Sequence, residues 1–291
     1  MTMLVSLFCG RNRRASCWVV PAALGFTLVA ATGSAWAQAQ TESRLDMIIK
    51  RDKVIVAAMS TSPPNGFIDE AGKLTGFEVE FAKLVVKAMV GDPNKVEFIT
   101  TDAPGRFPAV LSGKADFGIG TATIYPDRTM RVAFTRPYMD SGSTVIVKAG
   151  SPIKTLADLN DPKVTLLGAN SSGNQDRAKK YAPKATALFF DGDAAAVLAL
   201  KSGRGNAYQT DVPVAAYFVA QSNGAYVRLP GLLGDVNGNA LFMKPGDFAL
   251  WLALNTIVQE YVAGSRYTEY SELYKKWFGK EPPPARFYPV N

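Results

Sequence analysis

Two hydroxyl side chains and a guanidinium follow one another closely in the first half of the chain. Thr121 and Thr123 flank one small residue, and Arg128 follows five positions later. A guanidinium can hold a carboxylate by two parallel hydrogen bonds. The spacing is therefore compatible with a site for a carboxylate ligand. A plain alternative is that the threonines are strand formers and that Arg128 is a solvated surface residue.

The neighbouring pattern predicts how these side chains are positioned. Residues 109–112 end a helix at Gly113, which supplies the positive φ that a helix C-terminus favours. Residues 116–120 are an apolar run with the length of a buried strand, and Pro126 begins another helix. Ligands of open α/β sheets lie beyond the carboxyl ends of the strands, and Thr121 to Arg128 follow such an end.

The first 37 residues are predicted to be a cleaved secretory signal peptide. Three arginines within residues 11–14 precede an apolar run over 18–31, and Ala35-Trp36-Ala37 has the small-x-small pattern of a cleavage site. The mature chain is expected to begin near Gln38. Both cysteines, Cys9 and Cys17, fall in the signal peptide, so the mature fold must be stabilised by its own core.

Composition excludes several kinds of chemistry. The chain has no histidine, and the mature chain has no cysteine, which excludes the usual zinc sites and Ser-His or Cys-His nucleophiles. We expect no metal and no cofactor. The mature chain keeps 29 basic and 25 acidic residues, and it has no basic run interleaved with aromatic residues. Nucleic-acid binding is therefore not expected.

The mature chain alternates strands and helices. Apolar residues at Phe81, Leu84, Val85 and Ala88 predict an amphipathic helix over 77–90. The order β-α-β-α-β in the first half favours a parallel sheet covered by helices. Strands are predicted over 54–58, 96–100, 116–120, 143–148, 164–167, 207–208 and 240–243, a turn at 140–142, and further helices over 107–112, 193–201, 248–262 and 267–277.

An internal repeat links the two halves. Ser112-Gly-Lys-Ala-Asp116 and Ser202-Gly-Arg-Gly-Asn206 each join a helix end to a strand. The polar exit after the first strand carries Arg128, and the exit after the second carries Asp211. Two similar lobes would thus present a cation and an anion to one cleft, which suits a zwitterion. Asp211 also fits the N-cap of a helix at Pro213, and it could fill both roles.

A further polar strand exit spans residues 168–174. If a helix starts near Ser172, the backbone N–H groups of its first turn could face a bound anion. Alternatively, Ser171 or Ser172 is an ordinary N-cap residue. The sequence leaves both interpretations open.

Several short segments of the chain together form a specific pattern. They are Pro63-Pro64, Asp69-Glu-Ala-Gly-Lys-Leu-Thr-Gly-Phe-Glu-Val-Glu-Phe-Ala-Lys83, Arg106-Phe-Pro-Ala-Val-Leu-Ser-Gly-Lys-Ala-Asp116, Pro126-Asp-Arg128, Val132-Ala-Phe134, Pro137-Tyr138, Thr155-Leu-Ala-Asp-Leu159 and Tyr274-Lys-Lys-Trp-Phe-Gly279. With the segments in this order and spacing, the chain resembles the periplasmic solute-binding proteins of polar amino-acid ABC importers, bacterial extracellular solute-binding protein family 3. The resemblance covers nearly all of residues 50–280.

The resemblance implies an α/β fold of the type II periplasmic-binding-protein kind. Two Rossmann-like lobes would be joined by a two-strand hinge and would close on a ligand. The signal peptide at 1–37 would be followed by lobe 1 over 38–139 and 237–291, with lobe 2 over 140–236.

The resemblance also implies roles for individual residues. Arg128 would bind the α-carboxylate of an amino acid, assisted by Thr121 and Thr123, while Asp211 would bind the α-ammonium group. Ser171 matches a hydroxyl residue of the second lobe. The remaining expected ligand contacts are Gly120, Asn170, Ser62, Phe67 and Ala103. Most of these lie where we expect selectivity among amino acids to be determined. Many family members have an aromatic residue where this chain has Ala103 or Asn65, so we expect a roomier or more polar pocket.

The implied function is capture of an amino acid or related small zwitterion in the periplasm and delivery to an ABC transporter permease. The protein would act as a monomer and would not be an enzyme. One alternative is a periplasmic dehydratase of cyclohexadienyl or arogenate type on the same fold, with Asp211 or Glu78 as acid or base. Another is a ligand sensor that docks on a membrane receptor.

Overall fold

The structure, a computed structural model, describes residues 42–283. The predicted signal peptide and the start of the mature chain at Gln38 lie outside the described residues. Within residues 42–283, no helix combines the length and the apolar character needed to cross a membrane.

The described chain alternates strands and helices throughout. The strands are β1 (Val54–Met59), β2 (Thr61–Ser62), β3 (Gly66–Ile68), β4 (Leu74–Thr75), β5 (Val96–Thr101), β6 (Phe117–Ile119), β7 (Ala133–Ser141), β8 (Ser143–Lys148), β9 (Thr165–Ala169), β10 (Thr186–Phe190), β11 (Ala207–Asp211), β12 (Tyr226–Arg228) and β13 (Asn237–Met243). The α-helices are α1 (Arg44–Arg51), α2 (Phe77–Val90), α3 (Arg106–Leu111), α4 (Pro126–Thr129), α5 (Ser172–Tyr181), α6 (Asp193–Lys201), α7 (Val212–Ala220), α8 (Phe248–Ala263) and α9 (Tyr267–Phe278), with a 3₁₀ turn at Ala157–Leu159.

The first lobe is built on a five-stranded sheet in the order β5-β1-β6-β13-β7. Strand β1 pairs in parallel with both β5 and β6, which confirms the parallel arrangement predicted from the alternating elements. Strand β13 pairs antiparallel with β6 and β7. A separate three-stranded sheet, β2-β3-β4, lies beside the exit of β1.

The second lobe repeats this plan with the order β10-β9-β11-β8-β12. Strand β9 pairs in parallel with β10 and β11, whereas β8 pairs antiparallel with β11 and β12. The carboxyl ends of β9 and β11 therefore lie at one edge of this sheet, as those of β1 and β6 do in the first.

Strands β7 and β13 carry the chain between the two sheets. They pair antiparallel where they cross, with Gly238 opposite Asp140. The turn predicted at 140–142 is wrong, because pairing with β13 keeps this segment extended and β8 starts directly afterwards at Ser143. The link between the lobes is thus two adjacent strands.

Apolar side chains cover both faces of each sheet. In the first lobe, helices α2, α8 and α9 pack on one face around Phe77 and Phe81, and Val110 of α3 packs on the other. Tyr274 and Phe278 of α9 join the cluster around Phe77. In the second lobe, α5 packs on one face and α6 with α7 on the other.

The sequence repeat corresponds to a repeated local structure. The Asp116 N–H donates to the Ile55 carbonyl (2.8 Å), and its carboxylate accepts from the Ile55 N–H (2.7 Å). Asn206 makes the same pair of bonds to Thr165, at 3.1 and 2.8 Å. Each residue thereby ties the start of its strand, β6 or β11, to the neighbouring parallel strand.

Candidate functional site

A cavity lies between the strand exits of the two lobes. The first lobe lines it with Met59, Ala103, Arg106, Thr121, Thr123, Tyr125 and Arg128, and the second with Ala169, Ser171, Asn174, Arg177, Asp193, Thr210 and Asp211.

Most of the predicted ligand contacts meet at this cavity: Thr121, Thr123, Arg128, Ser171, Asp211 and Ala103. The other four are not among the residues that line it. The Gly120 carbonyl accepts a bond from Arg106, and Ser62 donates to the Asp193 carboxylate. The Phe67 ring packs against Tyr217 and Trp277, and the Asn170 side chain accepts a bond from Gln175.

Arg128 is held in place from both lobes. Its Nη1 donates to the Thr123 carbonyl (2.9 Å) and its Nη2 to the Ser172 hydroxyl (3.3 Å), while its guanidinium lies 4.8 Å from the centre of the Tyr125 ring. The residue is only 4% exposed, so the surface-arginine alternative is wrong. Burial, reinforced by the positive charge of Arg106, lowers the pKa of Arg128 to about 10. The side chain therefore stays cationic at neutral pH.

Thr121 is fixed by a buried carboxylate behind it. It has φ of 43°, in the left-handed region, and its N–H donates to Glu78 Oε1 (2.7 Å). The Tyr138 hydroxyl donates to the same oxygen. Burial raises the pKa of Glu78 to about 7, although the hydrogen bonds from Tyr138 and Thr121 act in the opposite direction. The exit of β6 is thus shaped by a carboxylate that lies outside the cavity lining.

Helix α5 begins at the cavity wall of the second lobe. It starts at Ser172, as one interpretation of the sequence required, and the Ser171 hydroxyl accepts from the Asn174 N–H (3.3 Å) as its N-cap. A helix N-terminus carries a partial positive charge and donor groups suited to an anion. The capping role of Ser171 does not remove it from the cavity, which it also lines.

Asp211 ends β11 and precedes α7. It stands at the N-cap position of α7, but its side chain makes no capping hydrogen bond to that helix. It lines the cavity instead. The side-chain cap that the sequence suggested as an alternative is therefore not formed.

The cavity also contains charged residues that sequence reasoning did not assign to it. The Asp193 carboxylate accepts hydrogen bonds from the hydroxyls of Tyr208, Thr210 and Ser62. Arg177 donates through Nη1 to the Tyr125 hydroxyl and through Nη2 to Asn174 Oδ1, both at 2.6 Å.

Arg106 is the third unassigned charge. Its Nη1 donates to the Gly120 carbonyl (2.9 Å), and the residue is 4% exposed. Both Arg106 and Asp193 stand in the first turn of a helix that faces the strand exits, α3 and α6. In the sequence, this position directly after a loop was the only indication that Arg106 and Asp193 could reach the site.

Within residues 42–283, no group of three or more carboxylate, histidine or cysteine side chains is placed to hold a metal ion. Of the two Asp carboxylates at the cavity, Asp193 accepts hydrogen bonds from three hydroxyls. The guanidinium, carboxylate and hydroxyl side chains at the site can recognise charged and polar groups.

Curated proteins with similar sequences are named as amino-acid-binding proteins. The chain is 31% identical over 261 residues to the ABC transporter glutamine-binding protein GlnH of Bacillus subtilis (strain 168), covering 88% of this chain and 93% of that protein. It is 28% identical over 243 residues to the L-cystine-binding protein TcyJ of Escherichia coli (strain K12), covering 82% and 88%.

Solved structures give the same result. An ancestral amino acid-binding protein described as a precursor of cyclohexadienyl dehydratase matches with a TM-score of 0.74 at 33% identity, over 81% of this chain and 100% of that one. The solute receptor for L-cysteine of Neisseria gonorrhoeae matches with a TM-score of 0.73 at 29% identity, over 81% and 93%.

The two-lobed α/β architecture agrees with these neighbours and with the type II periplasmic-binding-protein fold predicted from the sequence. The family model for bacterial extracellular solute-binding proteins, family 3, matches residues 54–280, which is most of the chain. This chain therefore belongs to the bacterial extracellular solute-binding proteins of family 3.

Proposed function

We propose that this protein captures an amino acid, or a related small zwitterion, between its two lobes and delivers it to an ABC transporter permease. The observation that carries the proposal is the presence of Arg128 and Asp211 on opposite lobes of one cavity. Arg128 binds the α-carboxylate, and Asp211 binds the α-ammonium group. Charge-assisted hydrogen bonds of this kind fix the end of the molecule that all amino acids share.

The other predicted residues at the cavity support the same binding mode. Thr121 and Thr123 present polar groups beside Arg128, and the first turn of α5 after Ser171 brings backbone donors to the carboxylate. Ala103 leaves space where a larger side chain would fill the wall. Gly120, Ser62, Phe67 and Asn170 act indirectly, through the contacts that hold the cavity wall and the two lobes.

The lobes, residues 38–139 with 237–291 and residues 140–236, close by a hinge motion about β7 and β13. Transfer to the permease follows, because the permease engages the closed, loaded form. We further propose that residues 1–37 direct the chain to the periplasm and are removed, and that the mature protein acts as a monomer. The names of the relatives, a glutamine-binding and a cystine-binding protein, support both the ligand class and the transporter partner.

We propose binding without catalysis. An enzyme of the dehydratase type would need an acid or base that faces its substrate. Glu78 is directed at Thr121 and Tyr138 and does not line the cavity, and Asp211 is assigned to the ammonium group. One similar structure is an ancestral precursor of a dehydratase, and it is itself described as an amino acid-binding protein.

A thermal-shift screen of the mature protein against the amino acids, followed by calorimetry, tests the proposal. A ligand that binds only the folded state adds about 2.7 kcal/mol to the free energy of unfolding at a hundredfold excess over Kd. We expect at least one amino acid to raise the melting temperature. Turnover of prephenate or arogenate, measured by ultraviolet absorbance, would contradict the assignment as a non-enzyme.

A further inference from the structure

We infer that the ligand is an acidic amino acid, with a net charge of −1, and that Arg106 binds its side-chain carboxylate. This inference rests on the proposed function and adds to it the chemical class of the ligand. The α-carboxylate and the α-ammonium group are assigned to Arg128 and Asp211 there. The part of the cavity that faces the ligand side chain has no assigned ligand group in that proposal.

The cavity carries more positive than negative side chains. Arg106, Arg128 and Arg177 line it against two carboxylates, Asp193 and Asp211. None of these arginines takes part in the ion pairs found within residues 42–283. Among the lining side chains, a zwitterion of zero net charge would leave this excess in place, whereas a ligand of net charge −1 would balance it. Glu78, which lies behind the lining, also acts on Arg106 as a negative charge.

The arginines also repel one another. After burial, the charge of Arg106 is the largest influence lowering the pKa of Arg128, and Arg177 acts in the same direction. Like charges gathered in a buried site are unfavourable unless opposite charge is brought to them. A dicarboxylic amino acid supplies that charge.

Arg106 has the donors that a carboxylate requires. Its Nη1 is engaged by the Gly120 carbonyl and lies 3.3 Å from Met59 Sδ. Its Nε is buried without a partner, and its Nη2 makes no hydrogen bond within the described chain. Nε and Nη2 form one edge of the guanidinium, the edge that can hold both oxygens of a carboxylate.

The neighbouring carboxylates do not serve as direct partners for that edge. Glu78 Oε1 accepts from the Thr121 N–H and the Tyr138 hydroxyl, and no ion pair joins Glu78 to Arg106 in the part of the chain that the structure describes. The Asp193 oxygens accept from three hydroxyls. An external carboxylate therefore meets the unused edge.

Arg177 is less suited to this role. Its Nε lacks a partner, as in Arg106, but both of its Nη atoms already donate, to Tyr125 and Asn174, so it offers fewer unused donors. The residue is also more exposed than Arg106. Its position contributes positive charge to the cavity and links the two lobes. The assignment to Arg106 thus rests on free donors and burial together.

The test compares isosteric ligands by calorimetry on the mature protein. L-glutamate is set against L-glutamine and L-aspartate against L-asparagine, within a panel of all common amino acids and L-cystine. We expect the tightest ligand to be acidic and to bind at least tenfold more tightly than its amide. A neutral or basic amino acid as the tightest ligand would overturn the inference but leave the proposed function standing. Binding of no amino acid would instead contradict the proposed function.

The role of Arg106 is tested by a ratio measured for each variant: the dissociation constant of the amide divided by that of the acidic amino acid. Arg106→Gln is expected to reduce the preference for acid over amide by about ten- to a hundredfold, the range for a hydrogen bond to a charged group. Arg131→Gln, the same change at an exposed position of the first lobe, is expected to keep the wild-type ratio.

Folding of Arg106→Gln is checked by its melting temperature, and Arg106→Lys provides a second variant that keeps the charge but lacks the planar fork. We expect Arg106→Lys to retain part of the preference. If Arg106→Gln folds, an unchanged acid-to-amide ratio in this variant would overturn the assignment of Arg106. If it does not fold, an unchanged ratio in Arg106→Lys would overturn it.

Discussion

Gly192 of the second lobe lies against Thr61 of the first so closely that a side chain would not fit. A Cβ atom at position 192 would stand 2.3 Å from both Cβ and Oγ1 of Thr61. The surrounding loop makes further contacts between the lobes, since the Ala103 N–H donates to the Asp191 carbonyl (3.1 Å) and Ser62 donates to Asp193. The closed arrangement of the lobes therefore depends on a glycine at this point.

Gly192→Ala is expected to hold the lobes apart without unfolding either of them. Gly192 has φ of −166°, an extended conformation that alanine adopts freely. The added methyl group then destabilises the closed form by about 1–3 kcal/mol, so ligand affinity should drop roughly tenfold or more. Calorimetry gives the affinity, and small-angle scattering of the loaded protein should show a larger radius of gyration.

The control for this variant is Ala195→Ser, which adds one atom at an exposed position of α6, the helix that Gly192 precedes. It should bind ligand as the wild type does. Wild-type affinity in Gly192→Ala would mean that the contact with Thr61 is not part of the ligand-bound state.

The Tyr125 side chain has two functions that can be separated by substitution. Its hydroxyl accepts a 2.6 Å bond from Arg177, and its ring lies beside the Arg128 guanidinium. Tyr125→Phe removes only the bond between the lobes, so affinity should fall by about three- to tenfold. Tyr125→Leu also removes the ring and should lower affinity by a further few-fold. Both are measured by calorimetry.

Tyr267→Phe serves as the matched control, because Tyr267 is a substantially exposed residue of α9 in the first lobe. Its affinity should equal that of the wild type. Equal affinities for the Phe and Leu variants at position 125 would show that the ring does not help to position Arg128.

The buried carboxylate of Glu78 predicts a pH dependence of stability. Its pKa is raised to about 7 in the folded protein, mainly by burial. The folded state therefore binds more protons than the unfolded state between about pH 4.5 and 7. The resulting stabilisation is fully present below about pH 4.5 and is lost as the pH rises to 7. The loss is on the order of 3 kcal/mol.

Glu78→Gln removes this titration and keeps an acceptor for the Thr121 N–H. The difference in unfolding free energy between wild type and variant, measured by urea denaturation from pH 4.5 to 7.5, should therefore shift in favour of the variant as the pH rises. The control is Glu70→Gln, at an exposed position of the same lobe. A difference that stays constant with pH would contradict the raised pKa.

Much of the fold could be predicted because its elements are short-range patterns. Helix α2 matches its predicted bounds, since its apolar residues recur at helical spacing between Gly76 and Gly91. Strand β10 was not predicted, because Thr186–Phe190 is an edge strand whose only partner in the sheet is β9. The extended course of residues 140–142 likewise depends on pairing with β13, which is nearly a hundred positions away.

The candidate site was predictable where chemistry follows a strand directly. Arg128 and Asp211 were identified because each lies beyond the end of a predicted strand in the repeated pattern. Arg106 and Asp193 were not, because their side chains enter the cavity only through the packing of α3 and α6 beside the strand exits. Phe67, which the resemblance implied as a ligand contact, packs against the rings of Tyr217 and Trp277.

The central claim is that Arg128 holds the carboxylate of an amino acid between the lobes. Calorimetric titration of Arg128→Ala beside Arg131→Ala tests it most directly, because the two arginines are three positions apart and only the first is buried at the cavity. With the tightest amino acid of the screen, we predict at least a hundredfold loss of affinity for Arg128→Ala and no loss for Arg131→Ala. Wild-type affinity in a folded Arg128→Ala protein would contradict the account.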